Sequence, residues 1–471
     1  MWDALEDAVI QSRVIFSLAT ADALGMTELD GRVGHHGAHG CRLGCPMKGR
    51  HKPHTGHYFA VHLKPNNYTV QDCNHPDVNT HTLSTLSSPQ YQHNLSKVIS
   101  SVDQNDYENN RKETGISKPS ILSGLVDDLM FPLPHCFTLD LMHLLFINLG
   151  ELLIPLWRGT IKCDLADDQS SWDWATLTGN TWQTHGQLVA DATPFFPSSF
   201  HRPPHNPAEK ISSGYKATEY YIYLFGLGPG FFRSVIPYKY WKNFCKLVRG
   251  VRILTQRRIT GIQLQEAHSC LVQFVEEFEN LYYQRRVSRL HFCRPCVHTL
   301  LHACGEVIRV GPGAYSTQFT MERTIGDLGQ EIRQPSNPFA NLARRALLRS
   351  QVNALKNIYP ELDPMATPQL PKFAQDLGNG YVLLRPQESN AKTIAASAGG
   401  NILLERIRTS TVRRWGRLRL PNSQVARSLW CETKHARSRI RVTRNVKVCP
   451  ISEMIKCPSA EVDKDRIEWL D

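Results

Sequence analysis

The chain has 471 residues, 41% hydrophobic and 21% charged, with a net charge of +11. This composition excludes an intrinsically disordered or collagen-like chain, and the length leaves room for roughly two to four domains with sizeable cores. No apolar run reaches the roughly 18 residues of a membrane-crossing helix, and the acidic, mixed start MWDALEDAVIQ is neither a signal nor a transit peptide, so a soluble intracellular protein without a membrane partner is expected.

In chain order, Met1 to Gln11 carries Leu5, Ala8 and Val9 at helical spacing. Arg13 to Ala19, RVIFSLA, is a short apolar run rich in β-branched and aromatic residues, as in a buried strand. It is followed by Thr20, Ala21 and Asp22. The carboxylate therefore falls at the C-terminal edge of the strand, where α/β folds collect catalytic groups, although a turn aspartate explains it equally.

From Gly31 to Phe59 the chain is rich in glycine and holds six of the twenty histidines with Cys41 and Cys45. Cys-x3-Cys followed by His51, His54 and His57 has zinc-ligand spacing, and Cys41, Cys45, His54 and His57 are the candidate set for a structural Zn. A histidine-rich loop without metal is the competing reading. The thirteen cysteines are otherwise scattered, which fits reduced thiols better than a disulfide framework. Residues 64 to 120 are polar and connector-like, with a helix expected from Tyr91 to Val102.

Leu139 to Gly159, LDLMHLLFINLGELLIPLWRG, is the most helix-like apolar segment, with Pro155 and Gly159 expected to end it. Asp140 and His143 stand three apart at its start and share one helix face; favoured placement of an acid at a helix N-terminus accounts for Asp140 without any function. Trp172 to Ala190 predicts further helix, and Ala217 to Val310 at least four helices. Within that block Cys293, Cys296, His298 and His302 resemble metal ligands, but the spacing of Cys296 and His298 directs them to different helix faces. A helix opens near Thr320 with Glu322 in its first turn, where any glutamate is favoured by the helix dipole. Ala340 to Ile358 predicts a polar helix, Pro360 to Pro371 a linker, and YVLLR, RIRTSTVRRWGRLRL and RIRVTRNVKVC alternate as strands do.

The charge is uneven. Arg406 to Lys447 holds thirteen Lys and Arg against one acid, Glu432, so this block carries +12 and the remainder is near −1. Interleaved Trp415, Leu418, Leu420, Val425, Leu429 and Trp430 suggest a folded surface able to lie against phosphate, with Arg413, Arg414, Arg417, Arg419, Arg437, Arg439, Arg441 and Arg444 as candidate DNA contacts.

Taken together, TADALGMTELDG, HHGAHGCRLGCPMKGRHKP, LDLMHLLFINLGELLIPLWRGT, RPPHNPAEKISSGYK, RLHF, TMERTIGDLGQEI and QPSNPFANL resemble transposases of the CACTA (En/Spm) family, in the form carried by transposons of mushroom-type fungi. The likeness covers most of Ser17 to Leu355, and a softer one extends to NGYVLLR and WGRLRLPNSQVARSLW.

The resemblance implies a ribonuclease H-like core in which two aspartates and a glutamate hold two divalent cations, Mg or Mn, for DNA cleavage and strand transfer. It also implies a long helical insertion with an Asp-or-Cys-x-x-His motif. On this chain the second aspartate corresponds to Asp22, with Asp30 as the weaker alternative, the closing glutamate to Glu322, and the insertion's motif to Asp140 and His143. The implied fold is mixed α/β and mostly α. An incomplete ribonuclease H-like core with the Cys/His knuckle (1–63) is interrupted by an all-α insertion (64–310), resumes with the glutamate helix (311–359) and is followed by a small basic β-rich C-terminal domain (372–471).

One departure stands out. Only 21 residues precede Asp22, and they contain no counterpart of the first catalytic aspartate. The expectation is a truncated gene or decayed copy that does not perform strand transfer alone. The alternative is a non-catalytic DNA-binding or interaction protein that uses the basic C-terminal domain. Either way the implied partner is DNA, at transposon ends for the family, in the nucleus and with homo-oligomerisation allowed.

Overall fold

The computed structural model describes residues 15–125, 127–193, 196, 203–332 and 334–362, together with 2–3, 7–9, 370, 374–384, 392–393, 411–412, 417–419 and 425–427. It is mostly helical, and the chain divides into two units, Met1–Asp191 with Pro204–Ser350, and Ala192–Pro203 with Gln351–Asp471. No helix among the described residues is long and apolar enough to cross a membrane.

The first unit opens with a difference from the sequence expectation. Instead of a helix, β1 (Trp2–Asp3) pairs antiparallel with β2 (Ala8–Val9), and Asp7 takes a positive φ of 48°, a conformation that aspartate tolerates better than most residues. The described part of the RVIFSLA run is extended and lies parallel to the segment before Asp140, through bridges Phe16↔Met130 and Ala19↔Phe137. Phe16 N donates to Leu129 O at 2.7 Å and Ala19 N to Cys136 O at 2.8 Å. Asp22 and Asp140 each follow the Ala19↔Phe137 pair by three residues, so the parallel register delivers both to the same end of the pair.

After this segment comes α1 (Ala23–Asp30), then a short hairpin of β3 (Arg50–His51) and β4 (Tyr58–Phe59). The 64–120 region is more than a connector. It folds α2 (Ser88–Ile99), capped reciprocally by Ser87 and Gln90, and α3 (Gln104–Thr114), capped by Asp103. Tyr91, Leu95 and Val98 of α2 join Met26, Ile116, Met130, Leu133 and Phe137 in a small core beneath the parallel pair.

The larger core is helical. A wide π-helical turn (His143–Asn148) runs into α4 (Leu149–Trp157), followed by α5 (Gly179–Asp191), the one-turn α6 (Pro207–Lys210) and α7 (Ala217–Tyr220), a second π-helical stretch (Tyr221–Leu227) and α8 (Gly228–Phe231). Pro155 lies inside α4 rather than ending it. A proline there leaves the carbonyl four residues earlier without its helical donor, and Arg294 Nη1 donates to that Glu151 oxygen at 3.2 Å. The long antiparallel pair α9 (Tyr238–Leu254) and α10 (Gly261–Phe278) packs Phe244, Leu247 and Val251 against Leu271, Phe274 and Phe278. Gly250 permits their close approach, since a Cβ there would lie 2.6 Å from the Leu271 side chain.

The last long core helix is α11 (Pro295–Val310), with residues buried along its whole length. Its C-terminal half holds the segment that leads to Asp140: Glu306 accepts from Leu139 N at 2.9 Å, and Arg309 donates to Phe137 O at 2.9 Å and to His135 O. The one-turn α12 (Gly313–Ser316) leads to α13 (Phe319–Glu331) and α14 (Pro338–Ile358).

The second unit contains, among its described residues, β5 (Gln375–Gly378), β6 (Tyr381–Leu383), β7 (Lys392–Thr393), β8 (Thr411–Val412), β9 (Arg417–Arg419) and β10 (Val425–Arg427). Four of them form an antiparallel sheet in the order β10–β9–β6–β5, and β7 pairs with β8.

Candidate functional site

Asp140 is the N-cap of its helix. Its side chain is 1% exposed; Oδ1 accepts from Met142 N at 3.0 Å and His143 N at 3.2 Å, while Oδ2 bonds His143 Nδ1. The three-residue spacing thus does what an N-cap followed by an N3 residue does locally, and it leaves the His143 ring 24% exposed at the rim.

The charges of two further acids act on this ring. The hydrogen bond to Asp140 raises the His143 pKa most, against the opposing effect of burial, and the charges of Asp140, Glu322 and Asp22 add to it. Asp22 arrives from the end of the parallel pair and caps α1, its Oδ1 accepting from Gly25 N at 2.7 Å. Glu322 arrives on the first turn of α13, which is anchored by its N-cap Gln318 and its first residue Phe319. Gln318 Nε2 donates to Thr20 Oγ1 at 3.2 Å, and the Phe319 ring lies 5.8 Å from that of Phe146. Residues 300 positions apart in sequence therefore both add their charge at one imidazole. Asp22 and Glu322 are exposed, and no three ligand atoms of this centre lie within 4.8 Å of one another. Asp30, the weaker alternative, is buried; burial raises its pKa, and it accepts from Arg32 N at 2.8 Å.

A second centre lies close by. Cys41, Cys45, His298 and His302 are all buried, with their ligand atoms within 4.8 Å of one another, and this group could hold a metal such as zinc. His298 Nε2 is 3.2 Å from Cys45 Sγ and 3.3 Å from His302 Nε2. The Cys41 thiol is held well below its usual range, first by the hydrogen bond from Cys45 and then by the His298 charge, against the effect of burial. Both centres border one cavity of about 260 Å³, lined among others by Arg42, Asp140, His143, Arg294 and His298.

This grouping corrects the sequence expectation for the histidines. His54 and His57 are not in the cluster. The β3–β4 hairpin carries His54 out to solvent with a left-handed φ of 61°, and His57 Nε2 contacts His36 Nδ1 at 2.7 Å and stacks on Phe59. Burial and the neighbouring rings of His36 and His35 push the His57 pKa down to about 4. The two imidazoles come instead from α11, from the group that the spacing of Cys296 and His298 had argued against. Cys296 does point elsewhere, towards Asn148 O at 3.8 Å, but His298 and His302 are four apart and share a face. The overlooked signal was that Cys-x3-Cys and His-x3-His are separate halves of one set.

Among the described cysteines none forms a disulfide. Arg417 and Arg419 lie on β9, while Arg413, Arg414, Arg437, Arg439, Arg441 and Arg444 lie outside the described residues. No protein-family model, curated protein or solved structure matches the chain.

Proposed function

We propose that this chain is a transposase-derived DNA-binding protein of the DDE type that its motifs resemble, with an acidic centre that does not by itself form a two-cation site. What carries this reading is that the parallel pair delivers Asp22 and Asp140, with its partner His143, to one end, and that the Gln318–Thr20 bond ties the start of the Glu322 helix beside Asp22. In the intact family such acids belong to a ribonuclease H-like core and hold Mg or Mn, which activate an attacking oxygen and stabilise the leaving one. Here the donors do not fit that role unaided. Asp22 and Glu322, the positions that correspond to cation ligands, belong to no group of three ligand atoms within 4.8 Å among the described residues, and both oxygens of the nearby Asp140 are engaged by its own helix and by His143. Asp140 acts instead as a positioning residue for His143, and phosphate binding falls to the +12 block, at transposon ends in the nucleus.

The test is binding and nicking of duplexes carrying the ends of the encoding element, over a salt series and with Mg²⁺ or Mn²⁺. Expected are salt-sensitive binding that prefers those ends, and no nicking. Failure to bind duplex DNA overturns the reading. Nicking abolished by Asp22→Asn overturns the inactive centre and makes the chain an enzyme. The rival reading, a DNA-binding protein of other descent, draws on the same charge block and predicts equal affinity for unrelated duplexes.

A further inference from the structure

We infer that Cys41, Cys45, His298 and His302 coordinate one zinc ion, and that this ion is a clasp joining the Cys41–Cys45 loop to α11 so that Arg42 is held over the start of α1. Two thiolates and two imidazoles make a closed tetrahedral set with no position left for water, the pattern of a structural zinc. Nitrogens about 2.0 Å from a tetrahedral zinc stand about 3.3 Å apart, and His298 Nε2 and His302 Nε2 are 3.3 Å apart. Without a cation, two facing imidazole nitrogens share at most one proton between them, and the remaining lone pairs stay buried.

The cluster of His51, Asp72 and Cys73 provides an internal contrast. It too brings three ligand atoms together, but protein groups satisfy it: Asp72 accepts from His51, Tyr58 and Lys112, and Cys73 pairs with Tyr68 at 2.8 Å. No ion is needed there. At the Cys41 group the side-chain polar contacts run within the set, Cys45 to His298 and His298 to His302.

The local folds present the ligands in pairs. Gly44 N donates to Cys41 O at 3.0 Å and Gly44 takes a φ of 70°, which closes the turn that brings the two sulfurs together. On α11 the four-residue spacing brings both imidazoles to one face. Arg42, next to Cys41, donates to Ala21 O at 3.4 Å and to Asp22 O. The clasp thus fixes, through Arg42, the backbone that carries Asp22, and it does so whether or not the chain acts on DNA.

The test uses the full chain. Elemental analysis after exhaustive dialysis should find about one zinc per molecule, and Co²⁺ replacement should give thiolate charge-transfer and tetrahedral d–d absorption. His298→Ala and Cys45→Ser should reduce the metal to under about a tenth, while His54→Ala and His57→Ala should retain it. The site is overturned if the unmutated chain binds no Zn²⁺ and no Co²⁺, or if the metal is lost with His54→Ala or His57→Ala but kept with His298→Ala. For the clasp, chelation should speed amide exchange across residues 21–26, and Arg42→Ala should do the same with zinc still bound; unchanged exchange in both overturns it. None of these readouts involves DNA, so their failure is separate from failure of the proposed function.

Discussion

The two centres that border the shared cavity are built on opposite principles. The sulfur–imidazole group is buried, and its four donors have mainly one another as partners. The acidic centre keeps one carboxylate buried, Asp140, and saturates it with hydrogen bonds, while Asp22 and Glu322 remain at the surface. A buried set of ligand atoms packed against one another is costly unless a cation balances their lone pairs, whereas exposed acids are solvated at little cost. The first arrangement therefore points to a resident ion, and the second to a rim that charged ligands can reach.

Breaking the first centre should have the largest effect. Chelation, or Cys45→Ser, should lower the unfolding free energy by roughly 5 kcal/mol or more, since structural zinc supplies folding energy directly, and thermal melting with and without chelator measures it. Glu322→Gln at the second centre should move stability by less than about 0.5 kcal/mol, as exposed substitutions do. If both variants melt alike, the contrast between the centres fails.

Next in size is the support beneath His143. Leu145 is fully buried in the π-helical turn, and Leu145→Ala should cost about 3 kcal/mol by leaving a cavity, as read from urea unfolding. A loss well under 1 kcal/mol would mean that this turn is not packed as described.

Asp22 separates charge from capping. Asp22→Ala removes the cap of α1 and should cost about 1 kcal/mol, whereas Asp22→Asn keeps an accepting oxygen and should cost only a few tenths. Equal losses in denaturant unfolding would show that the charge, rather than the bond to Gly25, stabilises this end.

The smallest effect is the pH response of His143. Its folded pKa is raised above the ordinary 6.5, first by the Asp140 hydrogen bond. The fold therefore favours the protonated ring. This contribution is complete below 6.5 and is lost as pH rises through the higher folded value. Asp140→Asn should move the titration midpoint down in NMR spectra of the ring. A midpoint that stays put would assign the shift to Asp22 and Glu322 instead.

The long helices α9, α10 and α11 were legible because apolar residues recur three and four apart over many turns. The two-residue strands at Trp2–Asp3 and Ala8–Val9 were not, because a tight local hairpin that pairs Trp2 with Val9 and Asp3 with Ala8 outweighs the weak helical pattern of Leu5, Ala8 and Val9. Pro155 misled for a different reason: its missing donor is replaced by Arg294, a residue far along the chain.

By itself, then, the sequence determined what depends on near neighbours: the periodic helices, the Asp140 cap with its His143 partner, the Cys-x3-Cys turn and the concentration of positive charge after Arg406. Only the tertiary structure decided which groups meet across long loops. Spacing limits what one turn or one helix face can bring together, and it carries no information about a partner hundreds of residues away. So the fold, not the spacing, joined Cys41 and Cys45 to His298 and His302 in place of His54 and His57, and tied the start of the Glu322 helix to Thr20, two residues from Asp22.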